Sequence, residues 1–226
     1  MKPEIKRRMR FVVGFGAYFL ALWLLWNTPV VYPIKIFVVL LHELSHGAMA
    51  VLTGGTIEKI LITPDQGGLC VCPGGNAFLT LSAGYLGSLV WGIAMILVAL
   101  RGIRWSRAGL AVLAVIVGAA TILVVRNGFG MAFGLAFAAG LGASAYYLRG
   151  EASSVVLTGL GLTSCLYAIL DIQSDVLARS HLESDARMLS DLTGIPTALW
   201  GVLWIGVGVL ACWWLLRWAY RRVGSG

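Results

Sequence analysis

Apolar residues run in blocks along nearly the whole chain, broken by short polar or Gly/Pro punctuation, and each block approaches the about 20 residues that a helix needs to cross a bilayer core. Seven spans follow from this pattern, at about 10–26, 34–53, 77–100, 108–125, 129–148, 153–172 and 197–218. Asn27-Thr28-Pro29 breaks the first run, and Pro33 falls near the first turn of the second, where its missing N–H does no harm. After Gly54-Gly55 the rhythm changes. The β-branched stretch 56–62, the turn residues 64–68 and the short run 69–72 predict a β-hairpin over about 55–73. Such a hairpin must lie at the interface or under helices, because a bare strand edge cannot face lipid. The polar segment 173–196 reads as a loop with one short amphipathic helix, capped at Ser184 and ending near Gly194. The predicted fold is an all-α polytopic membrane protein, a single domain over 1–226: a bundle of about seven transmembrane helices with a small hairpin after the second.

Composition strengthens this picture. The mean hydropathy is +0.86, with 59% hydrophobic and 12% charged residues, which is far from a soluble domain. The net charge of +7 does not point to nucleic acid, because the basic residues flank apolar runs, as helix ends at a headgroup surface do. The basic, then apolar, N-terminal segment reads as an uncleaved first helix. Charge leaves the orientation in conflict. With seven crossings, the 101–107 loop and the 217–222 tail fall opposite the basic N-terminus, so one charge signal misleads or one segment does not cross. Cys70, Cys72, Cys165 and Cys212 form no zinc or disulfide framework and read as fillers or loop residues.

Chemistry concentrates at His42-Glu43-Leu44-Ser45-His46, an H-E-x-x-H sequence inside the second apolar block. On a helix, residues four apart share a face, so the two imidazoles can hold one zinc ion while Glu43 serves as general base to an activated water. Two of the 3 histidines and one of the 10 acids occupy these five positions. Burying ionisable groups there is costly unless a divalent cation compensates them. A catalytic zinc site needs a third protein ligand. Asp171, at the end of the sixth span, is the favoured one, because the second and sixth spans are expected to run in the same direction with their polar residues at matching depth. Asp175 is the alternative, with His181 behind it. Asn127 is a candidate to hold a substrate backbone or polarise an oxyanion, against a role as helix C-cap. Ile60 lies on the hairpin edge expected to receive an extended peptide.

With its glycine-rich hairpin, Ala83-Gly84-Tyr85-Leu86-Gly87, Arg126-Asn127 and Ser184-Asp185-Ala186, the chain resembles the site-2 protease family of intramembrane metallopeptidases, in its compact M50B-like branch. The resemblance implies zinc held by His42 and His46, Glu43 as base, an Asp as third ligand, and peptide hydrolysis within the membrane. Asp171 stands where that family's Leu-Asp-Gly motif places its Asp, although Ile172 replaces the Gly and the upstream Asn-Pro element is absent. The expected function is therefore zinc-dependent cleavage of membrane-protein or transmembrane-peptide substrates by a multi-pass protein of a bacterial-type plasma membrane. The rivals are a non-proteolytic metal-binding chaperone or transporter, and a zinc hydrolase of lipid amides or esters.

Overall fold

A computed structural model of the protein describes residues 3–26, 28–173 and 184–225. Its elements are α1 (Pro3–Leu25), α2 (Tyr32–Leu52), β1 (Lys59–Ile62), β2 (Gly68–Val71), α3 (Ala77–Ala99), α4 (Ile103–Val124), α5 (Gly128–Tyr147), α6 (Ala152–Gln173), α7 (Asp185–Thr193) and α8 (Thr197–Ser225). Among the described residues six helices, α2 to α6 and α8, are long and apolar enough to cross a membrane, and α1 carries a shorter apolar stretch, Val12–Leu25. The protein is thus a helical polytopic membrane protein with one small hairpin, as the apolar pattern predicts. Helix ends depart most from expectation where basic residues flank the apolar block. There α1, α4 and α8 continue into their charged flanks, since a helix keeps its hydrogen bonds in the headgroup region as well as in the core.

The interior is built around α2 and α3. Ile36, Phe37 and Val38 of α2 are fully buried among α3, α4, α5 and the hairpin, with Phe37 stacked on Phe137 at 4.7 Å. This apolar wrapping keeps lipid and bulk water from the ionisable residues one turn further along. Asn76 caps α3, its side chain accepting from the Leu79 N–H at 3.0 Å, while its own N–H donates to Thr53 Oγ1 at 2.9 Å and ties the start of α3 to the end of α2. Between α3 and α6, small residues permit close approach, and Ser164 donates to the Ser88 carbonyl at 2.7 Å.

β1 and β2 pair antiparallel, with Ile60 opposite Cys70 and Ile62 opposite Gly68. The outer edge of β1 is closed. Val125 bridges to Ile60, and the Arg126 N–H donates to the Ile60 carbonyl at 3.0 Å. The Asn127 amide completes this edge, accepting from the Ile62 N–H at 3.1 Å and donating to the Ile62 carbonyl at 2.7 Å. Ile60 is itself fully buried. The expectation of a free β1 edge at Ile60 is therefore corrected: at this depth an unpaired edge is too costly, and the α4–α5 junction satisfies it. Asn127 begins α5 rather than capping α4, and both ends of its amide are committed to the strand.

The bundle has two chemically different ends. At one, Ile5 and Met9 of α1 lie beside Tyr220 of α8, and Leu100 and Ala219 wall a cavity of ≈ 350 Å³. Arg107 joins the start of α4 to the end of α5 through the Ala145 and Tyr146 carbonyls, at 2.8 and 3.0 Å. At the other end lie the hairpin, the α4–α5 junction and α7.

Candidate metal centre

His42 and His46, one turn apart on α2, set their rings 4.8 Å apart edge to face. The Thr80 carbonyl lies 2.7 Å from His46 Nδ1. A carbonyl can only accept, so Nδ1 carries the proton and Nε2 is left with a lone pair, the orientation a metal-ligating histidine requires. Tyr85 holds the His42 ring edge-on at 5.1 Å. Both Nε2 atoms converge against Gly84, where a Cβ would collide with each of them. This glycine on α3 is the floor of the site.

The third group is Asp185. Its Oδ2 lies 2.9 Å from His42 Nε2 and 3.1 Å from His46 Nε2. Asp185 is the first residue of α7, behind Ser184, whose hydroxyl accepts from the Arg187 N–H at 3.3 Å. Ala186 and Leu189, both fully buried, fasten α7 against Tyr85, Ile172, Trp200 and Trp204, and Gly194 ends the helix at φ 72°. Ser184 and Gly194 bound the helix as the sequence predicts. Burial opposes charge on Asp185, yet the two imidazoles beside it outweigh this and hold its carboxyl below the usual carboxylate range.

Of the expected third ligands, Asp171 lies within α6 but its side chain is outside the described residues, as are Asp175 and His181 entirely. Asp185, in the polar segment 173–196 and not among the ligands expected there, is the carboxylate brought to the histidines. Sorting acids by the apolarity of their own segment missed it. The available signal was Ser184-Asp185 opening a short amphipathic helix, because such a helix must lay its apolar face on the bundle and carries its first-turn carboxylate inward with it.

Glu43 is buried beside this group, at 6% exposure. Its carboxylate accepts from the Cys70 N–H of β2, and a Cβ on Gly68 would collide with it. The hairpin therefore touches the site through β2, while Ile60 and Asn127 hold its far edge. Cys70 and Cys72 are brought together as a pair on this hairpin, whereas Cys165 and Cys212 are free.

The donors fit zinc. Among the described residues, the ligand atoms of His42, His46 and Asp185 lie within 4.8 Å of one another. Bonds of about 2.0–2.2 Å would set tetrahedral neighbours roughly 3.3 Å apart, a small expansion of the two Asp185–histidine spacings. Two imidazoles and one carboxylate are also a donor set of catalytic zinc sites, which leave a fourth position open. No curated protein and no solved structure matches the chain. Residues 15–215, which span all of these groups, match the family described as Peptidase M50B-like. The chain belongs to the M50B-like peptidase family.

Proposed function

We propose that the protein is a zinc-dependent endopeptidase that hydrolyses peptide bonds of membrane-embedded substrates. The observation that carries this reading is the convergence of His42, His46 and Asp185 on one point, with a buried carboxylate, Glu43, alongside that is not needed to complete the ligand set. A site built only to hold metal has no use for such a base. Zinc bound by the three donors would supply Lewis acidity toward water and the scissile carbonyl. Glu43 takes the proton of the attacking water on its carboxylate and returns it to the leaving amine. The Cys70 N–H fixes the Glu43 carboxylate for this task. Gly84 keeps the space in front of the imidazoles clear, and the apolar wall from Ile36 to Leu41 limits water to what the polar pocket admits.

A peptide must be extended before its carbonyl is accessible, because a helix encloses its carbonyls in hydrogen bonds. With the β1 edge closed, the outer edge of β2 is the face of the hairpin that runs past Glu43. A segment added there as a strand would lie beside the base. The test is Glu43→Gln in purified protein, with metal content and cleavage of transmembrane peptides measured together. Zinc should stay at the parent stoichiometry while turnover falls by about 10²–10⁴-fold. Undiminished turnover would remove Glu43 as base. A parent protein that holds zinc and cleaves no peptide would favour a metal-binding role.

A further inference from the structure

We infer that the catalytic end of the bundle faces away from the cytoplasm, so that the site receives peptide segments from the extracytoplasmic side. Only the identity of the ligand rests on the peptidase reading; the orientation rests on charge and chain direction.

Chain direction comes first. Ile5 and Met9 of α1 lie beside Tyr220 near the end of α8. Tyr18 then donates to the Gly159 carbonyl at 2.7 Å, and Trp26 meets Tyr167 with ring centroids 6.0 Å apart. So α1 runs alongside α6 in the same direction, away from the end where Leu100 of α3 and Ala219 of α8 meet. α3 runs back toward that end. The segment between α1 and α3 therefore begins and ends on the distal side. Two hydrogen bonds agree: Tyr32, at the start of α2, donates to the Pro64 carbonyl at 2.6 Å, and Thr53, after its end, accepts from Asn76. The span count, which took α2 as a full crossing, put the basic segments on opposite faces for this reason.

Charge then orients the bundle. The first turns of α1 carry Lys6, Arg7, Arg8 and Arg10, and the same end holds Arg101, Arg104 and Arg107, then Arg149, then Arg217, Arg221 and Arg222, against Glu4 and Glu151. At the distal end the described residues Lys35, Lys59, Arg126 and Arg187 are balanced by Glu58, Asp65, Asp185 and Asp191. Short basic segments beside spans stay in the cytoplasm. The metal centre, whose ligands come from α7 and the α2 half nearest the start of α3, opens at the other end.

The test is labelling of the full chain in intact cells with a membrane-impermeant maleimide, read as the gain over the parent protein. Asp191→Cys and Arg104→Cys place thiols at exposed positions of the two ends, outside the site. Asp191→Cys should label in intact cells, and Arg104→Cys only after permeabilisation. The converse pattern, or equal labelling of both from one side, overturns the inference. A carboxy-terminal green fluorescent protein should fluoresce, and its monodispersity in detergent reports that each variant is folded; a dark fusion of folded protein also counts against the orientation. None of these readouts depends on hydrolysis. An inactive Glu43 assignment and a wrong orientation are thereby told apart.

Discussion

At the scale of single residues, Gly84 and Asp185 define the centre as much as the two histidines do. Alanine is the better helix former by about 1 kcal/mol, so Gly84→Ala should leave α3 intact. Its Cβ would nevertheless collide with both Nε2 atoms. The expected outcome is unchanged helical content by circular dichroism with zinc lost on dialysis; full zinc retention would show that the imidazoles have room to move. Asp185→Asn should weaken zinc binding by more than the about 10–100-fold typical of losing an outer partner, whereas Asp171→Asn and Asp175→Asn should not. Competition with a graded series of chelators measures this, and zinc loss in Asp171→Asn with retention in Asp185→Asn would return the ligand to α6. His42, Glu43 and His46 were legible because their spacing has meaning on a single helix. Asp185 was not, because its distance from His42 is set by how α7 folds back and not by any local period.

At the scale of elements, the hairpin works through two differently used edges. Asn127 closes one, and removing its amide leaves the Ile62 N–H and carbonyl unmet at a cost of about 1–3 kcal/mol each. Asn127→Ala should therefore lower the melting temperature in detergent while zinc stoichiometry holds. A variant as stable as the parent would mean that water or lipid headgroups replace the amide there. The other edge belongs to β2. If substrate adds to it as a strand, single N-methyl groups walked along a peptide substrate should depress cleavage at alternate positions, since a strand turns successive N–H groups to opposite sides. A flat profile would exclude strand addition. The hairpin itself was readable from its β-branched run and turn residues. Which edge is closed was not, because pairing with the α4–α5 junction joins segments 65 residues apart.

At the scale of the molecule, one charged end and one catalytic end are joined by an apolar middle, and α7 is the element that couples the catalytic end to the last helix. Its hold on the bundle has two parts, the packing of Ala186 and Leu189 and the position of Asp185 at the histidines. Zinc adds stability by mass action when it binds only the folded form, about 2.7 kcal/mol at 100-fold its dissociation constant. Chelation should therefore speed amide exchange in α7 while α4 and α5 keep their protection; equal loosening throughout would mean that the metal supports the whole bundle. Number and approximate limits of the helices were legible from sequence. Their arrangement was not, because the contacts that fix where α2 and its hairpin begin and end, Tyr32 with Pro64 and Thr53 with Asn76, join segments that no count of apolar blocks relates. His42 and Asp185 are also separated by 143 residues, which has a consequence for biosynthesis. A nascent chain exposes its histidine pair early, but the carboxylate that closes the centre emerges only after six further elements have been made. Order of synthesis thus delays the centre: until α7 has joined the bundle, the histidine pair lacks the carboxylate that closes it, and neighbours in the translocation machinery meet an incomplete site.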